Sequence, residues 1–158
     1  MTNKEILEIA LEQSAVDCSC SAEDFLQAEN RVVLSKPHRN ARKYLPLPLE
    51  CDLVSYGNNI VAQVSERLAG IVSVYIEKYP VEHCFETPNI NALNDALAAY
   101  DLKVCFMAEY FLPDLTQLKE LPCEFETRIL HKGDFSDLYT EEWSNALSSE
   151  NRGLDVLG

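Results

Sequence analysis

Cys51-Asp-Leu-Val-Ser-Tyr-Gly-Asn-Asn-Ile-Val-Ala-Gln-Val64, followed by Leu68-Ala-Gly-Ile-Val-Ser-Val-Tyr-Ile-Glu-Lys-Tyr-Pro80, is the stretch on which the fold turns. Two apolar runs, 51–56 and 60–64, are joined by Tyr56-Gly-Asn-Asn59. Glycine and asparagine tolerate positive φ, so the segment predicts a β-hairpin. Leu68, Ile71, Val72, Tyr75, Ile76 and Tyr79 then recur at i, i+3 and i+4, which is the spacing of one helical face, and Pro80 stops it. Strands followed by an amphipathic helix predict an α/β (α+β) class, a mixed sheet flanked by helices.

Toward the N-terminus, Thr2 and Glu5 have the spacing of a capping box, and Leu7, Ala10 and Leu11 continue one apolar face, predicting a helix over 3–16. Ser21-Ala-Glu-Asp24 opens a second short helix carrying Phe25 and Leu26, its acids near the positive end. Arg31-Val-Val-Leu-Ser35 reads as a strand, and the proline-bearing stretch 37–48 as an irregular connection.

Toward the C-terminus, Thr87-Pro88 is a cap followed by proline at the first helical position, with Ile90, Leu93, Leu97 and Tyr100 as the buried face. Residues 103–111 are almost wholly apolar apart from Glu109, as a central strand covered on both faces would be. A short turn of helix is expected over 114–120, and Pro122 begins a joint. The expected domains are therefore 1–122 and 123–158. In the second, 124–131 alternates as a strand. Asp134 caps a helix whose Phe135, Leu138, Tyr139, Trp143, Ala146 and Leu147 make one face, and 154–158 starts another strand.

The chain has 158 residues and a formal net charge of −13, with 26 acidic and 13 basic residues. A polyanion would be repelled by that balance, so nucleic acid is not an expected partner. Five of the basic residues, Arg31, Lys36, Arg39, Arg42 and Lys43, fall in one stretch that holds no acid. That island reads as a solvated loop pairing with the protein's own acidic surface. It also reads as a phosphate-binding patch, with Arg39, Arg42 and Lys43 as the candidates. No apolar run approaches the roughly 20 residues that span a bilayer. Glu5 and Glu8 interrupt the first apolar pattern, so no signal peptide and a cytoplasmic address are expected.

Six cysteines without an export signal predict reduced thiols, several of them in apolar strands. Cys18-Ser-Cys20 is a single close pair, short of the two pairs that a structural zinc site shows, and no metal is expected. His83-Cys84 are adjacent, and in an extended segment they point to opposite faces, which opposes a nucleophile–base pair. Only His38 and His131 remain as other bases. Glu109, followed by Tyr110 on an apolar stretch, fits either a functional carboxylate or a buried one paired with the basic loop. No catalytic residue is assigned.

Asp52-Leu-Val-Ser-Tyr-Gly-Asn-Asn59, Glu82-His-Cys-Phe-Glu-Thr-Pro-Asn89, Cys105-Phe-Met-Ala-Glu-Tyr-Phe-Leu-Pro113 and Leu138-Tyr-Thr-Glu-Glu-Trp-Ser-Asn-Ala-Leu147 together resemble the N-terminal half of certain bacterial GNAT-family acetyltransferases. The resemblance covers nearly the whole chain. It implies acetyl transfer from acetyl-CoA to an amine by direct attack in a ternary complex. It also implies that 1–122 is an extra N-terminal domain. Residues 125–130 would match the first core strand, 134–147 the first helix and 154–158 the start of the second strand. Glu141, Glu142 and Trp143 would then wall the acceptor pocket, carboxylates beside an aromatic suiting a cationic amine. The alternative for these three is a buried tryptophan and two solvated glutamates.

The family's phosphate turn needs closely spaced glycines at a helix N-terminus. The five glycines here, Gly57, Gly70, Gly133, Gly153 and Gly158, are never closer than five residues. The chain is therefore expected to be an incomplete GNAT-like strand–helix–strand start. By itself it is expected to bind no acetyl-CoA and to be inactive. The rival expectation is a non-catalytic protein- or ligand-binding module. An open sheet edge would invite a partner chain or a second copy.

Overall fold

The computed structural model describes residues 1–42, 47–119, 121–144, 146–147 and 156–157. Thr2 starts the first helix, α1 (Asn3–Asp17), through the expected capping box: its hydroxyl accepts the Glu5 amide at 3.2 Å, and the Glu5 carboxylate accepts the Thr2 amide at 2.6 Å. A single 3-10 turn (Ala22–Leu26) follows, closed by Asp24 accepting the Ser21 amide at 2.8 Å.

Strands β1 (Arg31–Leu34), β2 (Cys51–Val54) and β3 (Val61–Val64) form one sheet in the order β1-β3-β2. β2 and β3 are the expected hairpin, antiparallel, with Asp52 opposite Gln63. Its turn uses Gly57 at φ +100, where a Cβ would be strained. The Ser55 hydroxyl accepts the Gly57 amide at 3.0 Å and donates to the Asn59 carbonyl at 2.7 Å. β1 runs parallel to β3 on the other side, so the sheet is mixed.

Every residue of β3 is buried, because both sheet faces are covered. Val61 packs with Leu11, Ala15, Cys18 and Phe25 on the α1 side. Ile60, Ala62 and Val64 pack with Leu68, Val72, Ile76, Leu93 and Leu97 from α2 (Ala69–Lys78) and α3 (Thr87–Leu97). The protein is thus an α+β sandwich with β3 at its centre. Asn30 ties the layers together, donating to the Ile76 carbonyl at 2.7 Å and accepting the Ile60 amide at 2.8 Å.

Two expectations are corrected and a third is refined. Residues 103–111 do not form the central strand. β3 fills that position, and after Val104 the run is exposed and unpaired among the described residues. An apolar run reports that side chains need cover, not where the cover comes from. Second, 134–147 is not one helix. It contains two 3-10 turns (Ser136–Leu138 and Glu141–Trp143), and Asp134 accepts the His131 amide at 3.3 Å instead of capping a helix. A helix of that length is marginal without a packed face, and of its expected face only Phe135 and Leu147 are buried. Third, the short helical turn expected over 114–120 is, among the described residues, a single turn in which the Asp114 carbonyl accepts the Gln117 amide at 3.0 Å and its carboxylate the Thr116 amide at 3.0 Å. Beyond it, β4 (Leu130–His131) pairs antiparallel with β5 (Val156–Leu157).

Candidate functional site

Two features stand apart from simple core packing. The first is a polar cluster at the C-terminal end of α1. Asp17 is buried there, and its carboxylate accepts the Arg42 amide at 2.9 Å, the Gln13 side chain at 3.0 Å and the Arg42 Nε–H. Gln63, the one polar side chain on β3, donates to the Asp17 carbonyl at 2.9 Å. Ser19, held at φ +59, completes the set: its hydroxyl lies 3.3 Å from Gln63 Oε1 and accepts the Lys36 amide at 3.1 Å. Gln13 reaches the Asn40 carbonyl at 3.4 Å. The loop between β1 and β2 is therefore clamped to α1 at Asn40 and Arg42, and to Ser19 just beyond it at Lys36.

Asp52 faces this cluster from β2. Burial pushes its carboxyl above the ordinary range, and the neighbouring Asp17 adds to the rise while Arg42 opposes it. The nearby thiols are quiet. Burial raises Cys18 strongly, Cys20 to about 11 and Cys51 to about 12, so thiolate is scarce at neutral pH. Among the described residues, no group of three or more His, Cys, Asp or Glu is placed to hold a metal ion.

This cluster decides part of the fate of the basic island. Arg42 is taken up by Asp17, and Arg31 pairs with Asp24 at 3.1 Å, so the protein's own acids absorb both. Arg39 is exposed, and Lys43 lies outside the described residues. Glu141, Glu142 and Trp143 do share one turn, but Trp143 is 57% exposed and both glutamates are exposed. The Glu142 carboxyl sits below its usual range through its own backbone amide and the Thr140 hydroxyl. The expectation of a buried tryptophan is overturned with that of the helix.

His83 and Cys84 do not cooperate. His83 bonds Glu86 at 2.8 Å, whereas Cys84 is buried and its carbonyl accepts the Tyr75 hydroxyl at 2.5 Å. Glu109 and Tyr110 are exposed, so Glu109 is not the buried partner of the basic loop. Asp17 has that role. A separation of 25 residues hid the pair, since neither residue sits in a recognisable motif.

The second feature is a strap, residues 105–112, fixed at both ends. Before it, Leu102 and Val104 still pack on the core, and the Asn94 side chain accepts the Val104 amide at 2.7 Å. After it, Asn3 at the head of α1 donates to Asp114 at 2.7 Å and accepts the Leu115 amide at 2.9 Å. Between those anchors Phe106 is 74% exposed and Phe111 85%, with Met107, Tyr110 and Leu112 also exposed. Leu118, Leu121, Phe125 and Ile129 extend the exposed apolar series toward β4. The backbone of 105–112 makes no hydrogen bond among the described residues. Exposed apolar patches on a surface mark interaction sites.

No family model, curated protein or solved structure matches this chain. Among the described residues, no helix is long and apolar enough to cross a membrane.

Proposed function

We propose that this chain is a non-catalytic protein-binding module in which the α+β sandwich holds the apolar strap out toward another polypeptide. The observation that carries the reading is the row Phe106, Met107, Tyr110, Phe111 and Leu112, exposed yet anchored at both ends. Backbone whose amides and carbonyls are unbonded among the described residues, bearing aromatic side chains, suits addition to a partner's sheet. Six free cysteines fit a reducing compartment such as the cytoplasm.

The test is a photo-crosslinking amino acid at position 111 in cells expressing the chain, with the same residue at position 77 on the exposed side of α2 as control. A discrete adduct from 111 and none from 77 is expected. No adduct from 111 in a protein with an unchanged circular dichroism spectrum would remove the reading.

A second reading places the module beside a GNAT-like acetyltransferase core, acting on an amine with acetyl-CoA. It is favoured by β4 and β5, which fall within or beside the segments that the resemblance aligns with the first two core strands. In that setting Glu141, Glu142 and Trp143 would wall an acceptor pocket completed by other strands, and Arg39 would meet a coenzyme phosphate. Calorimetric titration of acetyl-CoA into this chain is expected to give no saturable binding, because the phosphate turn is not in its sequence. Saturable binding would mean that a different part of the chain makes the cofactor site.

A further inference from the structure

We infer that the strap is a site of endoproteolytic modification: an endopeptidase that takes large apolar side chains cuts it between Phe106 and Leu112 and leaves the sandwich whole. Such an enzyme hydrolyses one peptide bond. The C–N bond breaks, the hydroxyl of water goes to the acyl carbon and its proton to the nitrogen, and the new ends are a carboxylate and an ammonium. To be cut, a chain must free its backbone over several residues and offer one side chain to the specificity pocket. Residues 105–112 meet both needs as they stand. Their backbone makes no hydrogen bond among the described residues, so none has to be broken. Phe106, Met107, Tyr110 and Phe111 are all exposed.

In the sandwich the same kinds of side chain are withheld. Phe25, Tyr75, Leu93 and Leu97 are buried. Leu7 and Leu34 are exposed, but Leu7 lies within α1 and Leu34 in β1, paired with β3. Cleavage at those places must wait for the structure to open, and the open fraction is small. Two prolines narrow the site further. Pro113 follows Leu112 and Pro122 follows Leu121, and a proline's rigid ring and missing N–H make the bond before it a poor substrate. Phe125 is exposed too, but Glu124 and Glu126 flank it, whereas Phe106 and Phe111 have apolar neighbours on both sides. Neither core cluster holds a residue beyond Val104, so a cut in the strap takes no side chain from the sandwich core. The bonds from Asn3 to Asp114 and Leu115 cross the cut, and both are exposed. Cleavage needs only an accessible strap, whether or not the strap also holds a partner.

Limited digestion of the purified full chain with chymotrypsin, whose specificity pocket is a hydrophobic slot, tests this, with the products weighed by mass spectrometry. The first N-terminal product is expected to end between 106 and 111. It should appear about a hundredfold faster than any product of a cut within 1–104. Its rate should stay flat as urea is raised below the unfolding transition, because no opening is needed. The digested sample should keep the cooperative urea unfolding of the intact chain. Phe106→Ser, Met107→Ser, Tyr110→Ser and Phe111→Ser combined should slow the strap cut by about tenfold or more and leave the unfolding transition in place, as changes outside the packed sandwich. A first cut within 1–104 overturns the inference, as does a strap left whole while the urea-unfolded chain is fully digested. A strap cut whose rate climbs with urea from the start would mean that the strap is covered in the native chain, with the same consequence. Loss of cooperative unfolding after the cut would show that the sandwich needs residues beyond the strap, and equally overturns it. Photo-crosslinking from position 111 reports on the binding reading separately, since a strap that is cut but captures nothing removes that reading and leaves this one.

Discussion

Asn59 and Phe111 mark the two extremes of the molecule. Asn59 is fully buried at the hairpin turn, and its amide donates to the Asp24 carbonyl at 2.7 Å and the Glu29 carbonyl at 2.8 Å. Phe111 stands in solvent on a strap that bonds nothing between its anchors. In the sandwich, the buried polar side chains find partners within the chain, save for the Asn59 Oδ1, which is buried with none. In the strap, a hydrophobic composition equal to that of a core strand is left unspent. The contrast shows that hydrophobicity is a demand for cover, which the sandwich meets within the chain and the strap does not.

The sharpest way to break this comparison is Asn59→Asp. It turns two donated hydrogen bonds into a carboxylate facing two carbonyls, and urea unfolding should show a loss of about 3–5 kcal/mol. A loss below about 1 kcal/mol would mean that the turn relaxes to admit water, and the sandwich would be less tightly determined than its burial implies. Next is Asp17→Asn, which removes the charge that holds Arg42 across to α1. A loss of about 1.5–3 kcal/mol is expected, together with faster tryptic cleavage at Arg39 and Arg42 as the loop is released.

Asp52 gives a smaller effect with a definite sign. Its folded-state carboxyl titrates above the ordinary aspartate value, so between those two values the folded protein binds more protons than the unfolded chain. This contribution to stability is present below the unfolded pKa and is lost as pH rises through the folded one. Asp52→Asn should therefore be more stable than wild type at pH 7, and the gap should close as the pH is lowered toward the aspartate range. Parallel denaturation at several pH values checks this; a gap that widens on acidification would reverse the assignment. The smallest expected effect is Phe111→Asp. It should leave folding stability within about 0.5 kcal/mol, as a substitution outside the packed sandwich. A larger loss by thermal or urea unfolding would place Phe111 in the sandwich and erase the contrast.

How far the sequence led follows the same division. The capping box at Thr2, the hairpin around Gly57, and the faces of α2 and α3 were all legible, because each is decided by residues within about one or two turns of each other. The strap was misread as the central strand since Val104-Cys-Phe-Met107 has the composition of one. Only the three-dimensional fact that β3 already occupies the centre corrects it. The helix expected over 134–147 failed for a related reason: its periodicity was present, but the surface that would have stabilised it is not supplied among the described residues. That the basic loop pairs with the protein's own acids was legible, but not which acid: the Asp17–Arg42–Gln63 cluster joins α1, a loop and β3 through side chains with no mutual spacing rule.

The tie between Asn3 and the end of the strap spans 111 positions of sequence yet consists of solvent-exposed bonds from one side chain. Water competes for both, so the tie is weak and opens more readily than the packed sandwich. Buckled, the strap is held at both ends. Unbuckled, it becomes a longer lead rooted only at Asn94. A fusion or tag that disturbs the first three residues would therefore change the reach of the strap while leaving the sandwich intact, and two preparations of one protein could differ in association for that reason alone.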